Sequence, residues 1–353
     1  MMDIVYRENT DLIVRFALGI GVAALAMTVL MIVSILLMRG LFLSRDRQRQ
    51  EFMERWRPVF VEALFQPPGA MPLPRGEERL YFLYLFNHYH SLMKGENREQ
   101  LNRLADAAGI RSFARGLIRK GNMPRRIVAS YALGFMKDES VFDALIEGAS
   151  DENTLLSQAA ATAAVQIDPV RAVPLLLPKL LHRADWPVSN IDTLLAMAGE
   201  EAVSPVLRES IMNAAEKEAP NLIRLLGSAS EEAASACIGY WLERAREGET
   251  ISACLQMLKD AHYLPLVRSY TKHPTWYLRL QAVATLGRIG HRNDVAMIVG
   301  LLADKEWWVR YRAASVLADM PFLTHQEVTA IRDAQTDRYA RDVMDTVMME
   351  RGR

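Results

Sequence analysis

Three segments near the C-terminal end repeat one another at a fixed step of 31 residues, and a chain with that periodicity has few folds open to it. HPTWYLRLQAVATLGRIG begins at His273 and DKEWWVRYRAASVLADM at Asp304; in this register Trp276 matches Trp307, Arg279 matches Arg310 and Ala282 matches Ala313. One more step takes Arg310 to Arg341 in TDRYARDVMDTVMM. Periods of roughly 20 to 50 residues belong to architectures in which each unit buries its apolar face only against its neighbours.

The same frame runs backwards through the chain. RIVASYALGFM from Arg126 and LSQAAATAAVQI from Leu156 place Ala129 and Ala159 at the Ala282 position, and ADWPVSNIDTLLAM puts Trp186 at the position of Trp276 and Trp307, with Ser189 in place of the arginine. Two further copies are expected near Asn221 and near Ile251, where Ala219 and Glu249 stand at the arginine position, so the count is about eight. Apolar residues recur at three and four between turn signals such as Lys120-Gly121-Asn122, Asp168-Pro169 and His273-Pro274, and alternating strand patterns are absent. The expected body is all-α.

An acidic turn residue, an aromatic or proline, a branched residue followed by Arg, and an Ala-rich second helix together resemble HEAT repeats. Asp304 to Ala314 carries that pattern most fully, and the resemblance extends over nearly all of residues 76–353. It implies paired antiparallel helices stacked as an α-solenoid. It also implies structural roles for Trp186, Trp276 and Trp307 and for Arg126, Arg279, Arg310 and Arg341, the arginines pairing with turn acids of the same or the adjacent repeat. Trp308 is an extra aromatic beside the repeat position and is expected at the surface.

Ahead of the repeats lies a different signal. Phe16 to Met38 (FALGIGVAALAMTVLMIVSILLM) contains no charge and is bracketed by Arg15 and Arg39. About 20 apolar residues cross a bilayer core as a helix, so this run is long enough to span. A signal peptide has a shorter core ending at a small-residue cleavage site, whereas this run closes on Leu-Leu-Met-Arg. The expected layout is therefore a short extracytoplasmic tail (1–15), a transmembrane helix (16–38), a basic juxtamembrane helix with a Pro-rich linker (39–75), and the repeat body (76–353). Arg39, Arg45, Arg47, Arg49, Arg55 and Arg57 follow the span, which sets the body on the cytoplasmic side of an inner or plasma membrane. Within the run, Ala17 with Gly21 and Gly19 with Ala23 place small residues four apart, a spacing that permits close contact with a membrane partner.

After the run, Phe52, Trp56, Val59, Phe60, Ala63 and Leu64 form an apolar stripe opposite a basic face. Two readings of it stay open: a helix lying on anionic lipid, or one capping the following domain. The prolines and glycines of QPPGAMPLPRG then end any helix.

Chemistry is sparse. Lys plus Arg and Asp plus Glu both number 42, so the bulk charge gives no reason to expect a nucleic-acid partner. Cys237 and Cys254 are too few for a disulfide framework. His88 and His90 stand two apart, which points them to different sides of a helix, and the other histidines are dispersed, so no metal or cofactor is expected. Ser91-Leu92-Met93-Lys94 matches a bare S-x-x-K without its companion motifs.

Two function classes follow. The favoured one is a noncatalytic, membrane-tethered scaffold that docks a protein partner on the surface lined by second helices. The other is enzymatic, since relatives of these repeats include bilin lyases and DNA glycosylases; no catalytic set supports it here. The layout is also similar to bacterial inner-membrane proteins that accompany a membrane glycosyltransferase in envelope polysaccharide synthesis, which makes an accessory subunit one expectation and a signalling adaptor the alternative.

Overall fold

The computed structural model describes residues 2–65, 69 and 71–352; within the first helix it describes the side chains of residue 25, residues 27–39 and those from 47 onwards. Every regular element among them is helical, and the chain divides into two compact units, residues 1–136 and 137–353.

Unit 1 contains α1 (Met2–Ala63), α2 (Glu78–Leu92), α3 (Glu96–Ala107), α4 (Ile110–Lys120) and α5 (Met123–Phe135). α1 runs without interruption from the apolar run through the basic segment, and Gly40 alone does not stop it. The apolar stripe near its end caps the unit and is not left for a lipid surface. Phe52 and Trp56 are each 1% exposed and Phe60 is fully buried. Trp56 meets Phe82 edge to face at 5.1 Å, and Phe60 packs on Phe82 at 4.8 Å and stacks on Tyr89 at 5.4 Å. Arg55 on the outer side pairs with Glu78 at 3.1 Å. Such aromatic contacts add to the area that the rings remove from water. After α1, Met71–Arg75 is without regular structure, as its prolines dictate, and α2 begins at Glu78.

Unit 2 is a series of hairpins. In pairs they are α6 (Phe142–Gly148) with α7 (Thr154–Ile167), α8 (Pro169–Leu181) with α9 (Val188–Ala198), and α10 (Glu200–Asn213) with α11 (Ala219–Ile223). There follow α12 (Glu231–Arg244) with α13 (Gly248–Met257), α14 (Leu264–Tyr270) with α15 (Trp276–Ile289), α16 (Val295–Gly300) with α17 (Trp307–Asp319), and α18 (His325–Asp333) with α19 (Arg338–Glu350). All eight copies of the sequence frame fall on helices: α5 in unit 1 and the second helices α7 to α19 in unit 2. The last three second helices begin at Trp276, Trp307 and Arg338, in step with the 31-residue period.

Turn chemistry sets the boundaries. Asp168 ends α7 and caps α8 by accepting from the Arg171 N–H at 3.0 Å, with Pro169 in the first turn where its missing donor costs nothing. Thr324 and Glu327 form a capping box at the start of α18. Where the repeat pattern fades, the second helix is shortest: α11 has five residues and passes into a 3-10 turn over Arg224–Ser228.

Small residues let helices approach. Ala159, Ala160, Ala161, Ala163 and Ala164 of α7 are all buried, and a Cβ on Gly148 of α6 would lie 3.2 Å from Ala160. Gly287 of α15 faces Val316 of α17, where an added Cβ would lie 2.8 Å from the valine. Hydrogen bonds reach from one repeat to the next at nearly the same period: Trp186 Nε1 donates to Ser157 at 3.0 Å, Trp241 Nε1 to the Ile211 carbonyl at 3.0 Å, and the Thr285 hydroxyl to the Leu255 carbonyl at 2.7 Å.

Trp56→Ala should destabilise the protein by about 3–5 kcal/mol, the usual cost of emptying a buried aromatic site. Trp56→Phe should cost less, because Trp56 Nε1 is buried without an acceptor and its removal breaks no hydrogen bond. Urea unfolding of the two variants checks both; an equal loss would contradict the assigned packing.

His90 adds a pH dependence. It is 3% exposed, stacks on Phe135 at 4.3 Å, and neither ring nitrogen has a hydrogen-bond partner. Burial, reinforced by the Arg98 charge, lowers its pKa to about 4. The folded state thus binds its proton less readily than the unfolded chain, whose histidine titrates near 6.5. The stability tied to neutral His90 is complete above about pH 6.5 and is lost as the pH falls towards 4. His90→Phe should flatten that part of the stability profile, and an unchanged slope between pH 6.5 and 4 would refute it.

Candidate functional site

The arginines at the repeat position share one local contact. Arg279 donates to the His273 carbonyl at 2.8 Å, Arg310 to the Asp304 carbonyl at 3.0 Å and Arg341 to the Gln335 carbonyl at 2.7 Å. Each reaches back six residues to the turn before its own helix, satisfying a carbonyl that the second helix cannot. Arg126 lies in the first turn of α5.

The expected acid pairing is seen for Arg279, whereas Arg310 and Arg341 have no carboxylate partner among the described residues. Arg279 forms a two-pronged bond with Asp304 of the next repeat, Nε and Nη2 at 2.7 Å each, and both side chains are 7% exposed. Burial works against the Asp304 carboxylate, yet Arg279 and the Glu306 N–H outweigh it and hold the carboxyl below its usual range. One period on, the residue equivalent to Asp304 is Gln335. Arg310 consequently has no carboxylate partner among the described residues, its Nε is buried without an acceptor, and its guanidinium lies over the Tyr339 ring at 5.6 Å.

The tryptophans of the frame also diverge. Trp186 is 5% exposed and serves the core, as a structural role requires. Trp276 and Trp307 occupy the same position but are 39% and 44% exposed, and Trp308 is 57% exposed. The difference arises from their partners: Trp186 meets an acceptor in the preceding hairpin, whereas Trp307 stacks on Tyr311 of its own helix at 5.1 Å and touches Trp308 edge to face at 4.7 Å. With Tyr277 and Tyr339, also exposed, these rings form an aromatic surface at the start of α15, α17 and α19. Sequence reading explained Trp276 and Trp307 as packing residues. A partial signal was the doubling itself, Trp276-Tyr277 and Trp307-Trp308, since adjacent helical positions lie about 100° apart and their two rings point in different directions.

Other chemistry does not assemble. Among the described residues no group of three or more His, Cys, Asp or Glu side chains is placed to hold a metal ion. Burial pushes the Cys237 thiol up to about 11 and Cys254 to about 12, so neither supplies a thiolate near neutral pH. A cleft of about 620 Å³ in unit 2 is lined by residues that include Leu226, Ile238, Met257, Leu258, Ser235 and Asp260. Ser235 donates to Asp260 at 2.6 Å, and this bond with the His262 N–H holds the carboxyl below its usual range. A carboxylate stabilised in that way is a poor proton acceptor, and no histidine joins the pair as an activating base. Ala17, Gly19, Gly21 and Ala23 lie outside the residues whose side chains are described.

The hairpins, their 31-residue step and the Arg279–Asp304 link between repeats accord with a comparison to protein families, in which residues 264–344 match HEAT repeats. That stretch belongs to the HEAT-repeat family. No curated protein matches the sequence. HEAT repeats characteristically present a surface for protein–protein interaction, and the exposed aromatics stand on three of these HEAT second helices.

The unequal arginines can be separated by mutation. Asp304→Ala strands a buried guanidinium and should cost about 3–5 kcal/mol, while Gln335→Ala, one repeat later, should have little effect. Thermal or urea unfolding of both variants measures the contrast, and equal costs would show that the pair is not a buried link.

Proposed function

We propose that this protein is a noncatalytic scaffold that docks a protein partner on the second-helix face of its repeats and is held at a membrane by residues 16–38. The observation that carries the tether is exposure on every side of a helix. Leu25, Met27 and the apolar residues from Val29 to Met38 are between 46% and 73% exposed, with no part of unit 1 covering them. A helix apolar all round belongs in a core or in lipid. Among the described residues no helix is long and apolar enough to cross a membrane; Phe16–Ala24 and Ala26, which complete the run, are not among the side chains described.

The partner reading rests on the HEAT repeats and on the aromatic surface they carry. A partner on the same membrane meets the scaffold at a raised effective concentration, so modest contacts suffice. The arginines from Arg39 to Arg49 favour a cytoplasmic body. A membrane glycosyltransferase of envelope polysaccharide synthesis is the first partner to examine, on the strength of the layout alone, and a signalling complex is the second.

Full-length protein should stay with membranes through an alkaline carbonate wash, and copurification from detergent extracts should retain a stoichiometric second protein. Release by carbonate would remove the tether. Turnover of a small substrate by the purified chain, with no partner retained, would remove the scaffold.

A further inference from the structure

Two successive repeats hold the same arginine in the same way, and only one of them supplies its acid. Arg279 gives Nη1 to the carbonyl six residues back, His273 at 2.8 Å, and closes Nε and Nη2 on the Asp304 carboxylate. Arg310 also gives Nη1 to the carbonyl six residues back, Asp304 at 3.0 Å, and there the likeness stops. Its Nε is buried without an acceptor, and its Nη2 makes no hydrogen bond among the described residues. Gln335, which stands where the acid would, turns its amide to the Ile331 carbonyl at 2.8 Å instead. Arg341 in the last repeat is exposed, so water reaches it.

Water does not reach the Arg310 Nε. A buried donor left unpaired costs the folded chain its full desolvation penalty. A carboxylate from outside would relieve that cost and meet the fork in the two-pronged geometry that makes such pairs strong. The guanidinium is ordered in advance by the Asp304 carbonyl and by the Tyr339 ring, whose centroid lies 5.6 Å away, so little freedom is lost when the fork is filled. Exposed rings flank it: Tyr339 is 65% exposed, and Trp307, one turn before Arg310 on α17, is 44% exposed. The chain's own carboxylates do not fill the fork. Asp304 is bound to Arg279, Asp342 to Arg338 at 3.7 Å and Glu350 to the Tyr311 hydroxyl at 2.7 Å, and neither Glu306 nor Asp337 of the flanking turns bonds to Arg310.

We propose that the open Nε and Nη2 edge of Arg310 is a docking site for a carboxylate side chain of a partner protein, which takes the place that Asp304 holds one repeat earlier, with apolar groups beside it resting on Tyr339 and Trp307. The internal pair names the chemistry of the occupant, since the fold has built this fork once already and filled it with Asp. A nucleic acid would need a run of cations, and Arg310 stands between turns that carry Glu306 and Asp337. This site rests on the scaffold reading and narrows it to one residue and one chemistry.

The test restores the missing acid. Gln335→Asp should fill the fork from within, and Gln335→Asn, of the same size but uncharged, should not. Purified in detergent from membranes as the full-length chain, Gln335→Asp should melt at a higher temperature than Gln335→Asn. It should also retain about tenfold less of the copurifying protein, the effect of losing roughly 1.4 kcal/mol of contact, while Gln335→Asn retains as much as the unaltered chain. An aromatic photo-crosslinking residue in place of Tyr339 should join to a segment of that protein containing Asp or Glu. A higher melting temperature with undiminished retention would overturn the docking site and leave the scaffold standing. So would a melting temperature no higher than that of Gln335→Asn, or equal loss of the partner in both variants. Silence at position 339, or a crosslink to a lipid or to a segment with neither acid, would overturn the carboxylate assignment. No copurifying protein with the unaltered chain would overturn the scaffold reading and this site with it.

Discussion

Each helical hairpin in this chain has more apolar surface than it can cover, and the rest of the structure depends on neighbours covering it. In residues 137–353 that requirement is met hairpin by hairpin. The alanines of α7 and Gly287 of α15 bring backbones close, and bonds such as Trp186 to Ser157 or Thr285 to Leu255 fasten one repeat to the next. Stability in such a stack is roughly the sum of repeat and interface contributions. A buried ion pair between repeats, Arg279 with Asp304, is therefore a local fastening, and its absence one step later is tolerated because Arg310 keeps its bond to the preceding turn.

Much of this organisation was legible because period is a property of sequence. The eight second helices could be placed from alanines, turn signals and the 31-residue step, even through α11, where the pattern is weakest. Exposure was harder to read. Trp186 and Trp307 are equivalent by position, yet one faces an acceptor in the preceding hairpin and the other a tyrosine on its own helix, and no single-repeat pattern distinguishes them. Pairing across repeats was half legible: the arginine marks the position, but whether an acid waits in the next turn depends on a residue 25 positions away, Asp304 for Arg279 and glutamine for Arg310.

The stripe Phe52-Trp56-Phe60 shows the same limit. Amphipathicity states that a face will be buried but not against what, and lipid and protein satisfy it equally. Only Phe82 and Tyr89, brought back by the turn before α2, decide for protein. The packing of Phe60 on Phe82 and Tyr89 sets α2 along the end of α1.

The continuity of α1 has a mechanical meaning. Between Met38, the last residue of the apolar run, and Phe52, the first of the capping aromatics, the helix adds about 20 Å at 1.5 Å per residue. No break in the helix separates the apolar run from the packed aromatics. Each residue added to or removed from that stretch would turn the apolar run and unit 1 by about 100° relative to one another. The phase of the two ends is written into the number of residues between them.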